Sequence, residues 1–149
     1  MTSTFQTAQD ALLRELSDRA EISELLARNW RTMDDKDFDA ARDLYTEDIA
    51  LVMAGGEPIT GAQAVIDSTR ALNVSYKSTQ HNGCSLSIEL DGDRATAHAN
   101  VIGVLVGGVP EVPAVSVTAV GARVGVVRTD GGWRMDRIEL TPRYRYPVG

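Results

Sequence analysis

At 149 residues, with 43% hydrophobic and 24% charged side chains, the chain has the size and composition of one domain with a sizeable core. Its net charge of −6 argues against a nucleic-acid surface, and no apolar run approaches the roughly 20 residues that span a bilayer. The single Cys84 excludes an internal disulfide, and two His with one Cys give little support for a zinc site.

Residues 1–8 are polar and read as a flexible lead. They lack the basic and apolar blocks of a signal peptide, so the expectation is a soluble cytoplasmic protein. From Asp10 the period is helical, with Leu12, Leu16, Ile22, Leu25, Leu26, Trp30 and Met33 on one stripe. Asp18 to Glu21 interrupts that stripe, which fits either two helices or one bent helix. Asp34, Asp35 and Lys36 form a tight connection. A short helix follows over Phe38–Tyr45, with Asp37 as its N-cap and Phe38, Ala41, Leu44 and Tyr45 on one face. Ile49–Met53 reads as a buried strand and "AGGEPITG" as a turn with a short strand. Gly61–Leu72 is the next helix, with Ala64, Val65, Thr69 and Leu72 inward.

Beyond Asn73 the pattern changes to strands. Ser75–Leu90 ends in alternation (Leu86, Ile88, Leu90), "DGDR" makes a hairpin turn, and Ala95–Val106 returns. "GGVPEVP" is a loop, Ala114–Arg128 a third long strand, "TDGG" a second hairpin turn, and Trp133–Leu140 a fourth strand. Helices first and an antiparallel meander afterwards is an α+β pattern. A strongly curved sheet wrapped around the N-terminal helices makes a cone with a pocket inside. Asp34 is then either a surface cap or a group pointing into that pocket.

Three stretches carry a resemblance: "EISELLARNWRTMDDKDFDAARDLYTEDI", "TQHNGCSLSIELDGDRATAHANV" and "GGWRMDRIEL". Over about residues 18–145 the chain resembles the SnoaL-like branch of the nuclear transport factor 2-like superfamily, which includes polyketide cyclases, scytalone dehydratase and a bile-acid dehydratase. The resemblance implies a single cone-shaped α+β barrel domain, often dimeric through the outer sheet face. It says less about reaction, because this scaffold carries many chemistries.

In the dehydratases of this branch an Asp ending the first helix orients a His on the first long strand. By motif match these are Asp34 and His81. An imidazole has a free pKa near 6.5 and can take or give a proton at neutral pH, and a carboxylate behind it fixes the tautomer. By strict alternation His81 lies opposite the Leu86, Ile88, Leu90 face; "HNG" at 81–83 offers a bulge that would realign it. Two positions depart from the dehydratases: their second polar group, on the second long strand, falls at about Val104, and a common Tyr falls at Asn29.

The implied function is a cofactor-independent enzyme that dehydrates, isomerises or cyclises a hydrophobic small molecule, cyclic and polyketide- or steroid-like. Asn29, Trp30, Tyr45, Asn100 and Arg143 are the expected substrate contacts, and Val104 an apolar wall. The expected partners are that small molecule and a second copy of the chain. A non-catalytic binding or accessory protein on the same cone is the other reading. A water-activating epoxide hydrolase is a third, for which Arg123 supplies an Arg but no second inward Asp is evident.

Overall fold

The computed structural model describes residues 2–108 and 114–148, so most of the loop expected at 107–113 lies outside the described residues. A 33-residue helix α1 (Thr2–Asp34) is followed by a 3-10 helix (Phe38–Leu44), strand β1 (Tyr45–Met53), short β2 (Ile59–Thr60) and helix α2 (Ala62–Asn73). Four long strands complete the chain: β3 (Tyr76–Asp91), β4 (Arg94–Gly107), β5 (Val115–Thr129) and β6 (Gly132–Val148). They form one six-stranded sheet in the order β2-β1-β6-β5-β4-β3. Only the β1–β6 pair is parallel; the others are antiparallel.

One unbroken helix replaces the two-helix alternative, and it takes in residues 2–8, expected to be flexible. Its apolar stripe serves two purposes. Ile22, Leu25 and Leu26 are buried against the sheet, whereas Phe5, Leu12, Leu13 and Leu16 are each more than half exposed. The change falls at Asp18. Its carboxylate accepts two hydrogen bonds from the Arg128 guanidinium at 2.9 and 2.8 Å and one from Trp133 Nε1 at 3.1 Å. Arg128 also lies over the Trp133 ring. The hydrogen bonds from Arg128 hold the Asp18 carboxyl below the usual range, against the opposing effect of burial. Asp18 is thus a peg fixing α1 to the β5–β6 hairpin.

In α2 the buried residues are Ala62, Val65, Ile66 and Asn73, while Ala64 and Leu72 are exposed. The helix is rotated by about one position from the expected phase. Asp37 precedes the 3-10 helix but makes no side-chain cap. β6 continues past Leu140 to Val148, because β5 offers antiparallel partners along its whole length. Among the described residues no helix is long and apolar enough to cross a membrane.

Candidate active site

α1 ends beneath the edge of β3. The helix closes with Asp35 N–H donating to Arg31 O, and Lys36 turns the chain in the left-handed region at φ 58°. That reversal leaves Asp34, the last helical residue, facing the sheet. A carboxylate is unfavourable at the negative end of a helix and needs donors. β3 supplies three. Asp34 Oδ1 accepts from Thr79 Oγ1 at 2.9 Å and from His81 Nδ1 at 2.7 Å; Oδ2 accepts from the His81 backbone N–H at 2.9 Å. The last of these is available because β3 is an edge strand. The Lys36 amine donates to Thr79 Oγ1 at 3.3 Å and to Asn73 O at 3.1 Å, tying this cluster to the end of α2. Burial lowers the Lys36 pKa, with Asp34 opposing.

An ionised carboxylate can only accept, so in the neutral imidazole Nδ1 of His81 carries the hydrogen and Nε2 keeps its lone pair. Among the described residues no side chain or backbone group bonds Nε2. The ring lies against Gly103, its partner across the β3–β4 ladder: a Cβ at Gly103 would sit 3.5 Å from His81 Cδ2.

His81 lines a cavity of about 180 Å³ between α1, α2 and the concave face of the sheet. Trp30 and Met33 from α1, Val65 from α2, and Val101, Val120 and Val124 from the sheet form apolar walls. The exposed Met53 and Leu72 stand at its rim. Trp30 packs closely against β3 because residue 83 is glycine; a Cβ there would fall 1.9 Å from the indole. Tyr45 Oη donates to Asn29 Oδ1 at 2.6 Å, and among the described residues the Asn29 amide hydrogens have no partner. Burial pushes the Tyr45 phenol above the ordinary tyrosine range, so it remains neutral. Among the described residues no Asp, Glu, Lys or Arg side chain lines the cavity, and Asp34 stands just behind His81.

The structure therefore brings together Asp34, His81, Asn29, Trp30 and Tyr45. It does not bring Asn100, Val104 and Arg143 to them. Val101, Gly103 and Leu105 face inward along β4, so Asn100 and Val104 point to the outer face. Asn100 and Arg143 line a shallow polar depression there with His98, Arg123 and Glu139. Arg123, considered for a water-activating site, pairs with Glu139 on that outer face. The bulge that aligns His81 lies further along than expected. Pairing shifts between Cys84 and Ser87, with Ser85 at φ 53°, so His81 and Ile88 both face inward despite opposite parity.

Thr79, Lys36, Gly103 and Thr118 were not anticipated. Thr79 is two residues before His81, a spacing that puts both on one strand face. Thr118 belongs to "VSVTAVGARV", where its inward phase follows once Val124 and Val126 are known to be inside.

Among the described residues no group of three or more His, Cys, Asp or Glu is placed to hold a metal ion. A SnoaL-like domain matches residues 14–139. A search of curated protein sequences finds no match. Among solved structures, an NTF2-like protein with a cystatin-like fold from Novosphingobium aromaticivorans is 30% identical, with 91% of this chain and 88% of that one covered and a TM-score of 0.75. The Kfla4162 protein from Kribbella flavida is 28% identical over 89% of this chain and 95% of that one, with a TM-score of 0.81. A hexachlorocyclohexane dehydrochlorinase, LinA-type3 from Novosphingobium barchaimii, shares the fold at 19% identity, 92% and 94% coverage and a TM-score of 0.80. With most of its length matched and a cone of this topology, the chain belongs to the SnoaL-like family of the NTF2-like superfamily.

Proposed function

We propose that the protein is a cofactor-independent enzyme that takes a proton from carbon in a hydrophobic small molecule, with elimination of a leaving group as the favoured outcome. The observation carrying this reading is the 2.7 Å hydrogen bond from His81 Nδ1 to Asp34, which leaves a bare Nε2 facing an apolar cavity. In such a site His81 Nε2 accepts the proton from a carbon next to a carbonyl, and Asp34 stabilises the imidazolium that forms. The C–H electron pair then expels the leaving group, and the imidazolium can return its proton to a departing hydroxyl, releasing water. Isomerisation or cyclisation would use the same first step. The dehydrochlorinase relative is an elimination enzyme by name, which supports the same class at the level of shared fold.

The test follows enone formation from 3-hydroxycyclohexanone and related single-ring β-hydroxy ketones by ultraviolet absorbance. The wild type should accelerate it, and His81→Gln and Asp34→Asn should each remove about 10²–10⁴ of that acceleration. Equal rates in wild type and His81→Gln would overturn the assignment. The second reading, a small-molecule-binding protein on the same cone, draws on the predominantly apolar lining of the cavity. It predicts ligand binding that His81→Gln leaves intact, with no turnover.

A further inference from the structure

We propose that the cavity takes a single-ring compound whose oxygen substituent lodges over Gly103, between the Thr118 hydroxyl and His81 Nε2. Thr118 faces Gly103 across the β4–β5 ladder, and His81 faces it across the β3–β4 ladder. A Cβ placed on Gly103 would lie 2.9 Å from Thr118 Oγ1 and 3.6 Å from His81 Nε2. Thr118 Oγ1 and His81 Nε2 thus flank the space left by the missing side chain, and a ligand atom resting in van der Waals contact over the Gly103 Cα lies between them.

Neither group has a hydrogen-bond partner among the described residues, and around them the cavity wall is Val101, Val120 and Ala122. An apolar ligand filling the space would leave a hydroxyl and an imidazole nitrogen unpaired, which is unfavourable. A hydroxyl or carbonyl oxygen at that position accepts from Thr118, and a hydroxyl also donates to Nε2. Thr118 therefore supplies, from β5, a second polar group that the second long strand does not provide in this chain. Size sets the rest of the ligand. An apolar protein cavity of ~150 Å³ holds benzene, and this cavity is about 180 Å³. One six-membered ring with a small substituent fills such a volume, and a fused polycyclic skeleton would extend beyond it to the Met53–Leu72 rim, which favours the smaller members of the class suggested by the family resemblance.

The inference rests on the acid–base reading only in making the bound oxygen a reacting one. Its test needs no turnover: phenol, toluene and 2-naphthol are titrated calorimetrically into wild type, Thr118→Val and Thr118→Ser. Phenol should bind the wild type and Thr118→Ser alike and lose about fivefold in Thr118→Val, the order expected for one neutral hydrogen bond. Toluene should lose nothing in Thr118→Val, and 2-naphthol should bind no more tightly than phenol. No phenol binding at millimolar concentration, an equal loss for phenol and toluene, or stronger binding of 2-naphthol would overturn the proposal. Failure of phenol binding with β-hydroxy ketone turnover intact would sink the subsite alone. Thr118-dependent phenol binding without turnover would sink the acid–base reading alone.

Discussion

At the scale of single residues, the site depends on how Asp34 is held. Its carboxylate sits at the unfavourable end of α1 and accepts three hydrogen bonds, two from His81 and one from Thr79. Thr79→Val removes one neutral donor and leaves both His81 contacts in place. Turnover of a β-hydroxy ketone should therefore fall roughly tenfold, well short of the loss in Asp34→Asn. A Thr79→Val loss as large as that of Asp34→Asn would show that Thr79 does more than position the carboxylate. Asp34 and His81 were legible because the family resemblance places both, and their geometry follows from a helix end meeting a strand edge. Asn100 and Val104 were not, for a physical reason. Side chains alternate with a period of two along a strand, so an error of one residue moves a position through the sheet. The inward residue is Gly103, whose importance lies in having no side chain to recognise.

At the scale of elements, two contacts beyond its buried apolar stripe and the Asp34 hydrogen bonds help to place α1. One is the close approach of Trp30 to Gly83 on β3. Gly83→Ala forces the indole away and should cost about 1–3 kcal/mol through overpacking, measured by urea denaturation. An unchanged midpoint would mean that Trp30 moves freely and is no fixed wall. The other is the Asp18 peg. Because Arg128 depresses the Asp18 pKa in the folded state, its contribution is fully present above the unfolded carboxyl value of about 3.9. It is lost as pH falls through the folded value. Asp18→Asn should destabilise by about 1–3 kcal/mol at neutral pH, and the gap from wild type should close below about pH 4. A gap independent of pH would refute the ion-pair account. The long strands and hairpin turns were readable from alternation and Gly-Asp punctuation, as at "DGDR". The full length of β6 was not, since "PRYRYPVG" gains strand structure only from pairing with β5.

At the scale of the whole molecule, the outer sheet face has two zones. Near one end Ile102, Val104, Val106, Val115 and Val117 are half-buried, and the exposed Tyr144 pairs beside them with Ala119. Next to them lies the polar depression with His98, Asn100, Arg123 and Arg143. We propose that the apolar zone is where two copies meet, the homodimer expected through the outer sheet. Val104→Asp should then give a folded monomer by light scattering at micromolar concentration while the wild type is dimeric. A monomeric wild type would remove the proposal, and a dimeric Val104→Asp would place the interface elsewhere.

The proposed chemistry requires that Asp34 hold neutral His81 with its hydrogen on Nδ1 and an open lone pair on Nε2. Long-range ¹H–¹⁵N correlation of the imidazole nitrogens tests this without any substrate, at about pH 8, where an ordinary imidazole is neutral. The Nδ1–H tautomer is expected for His81, and a mixture of tautomers once Asp34→Asn removes the obligate acceptor. A wild-type His81 that is predominantly the Nε2–H tautomer would contradict it, because the nitrogen facing the cavity would then have no lone pair with which to take a proton.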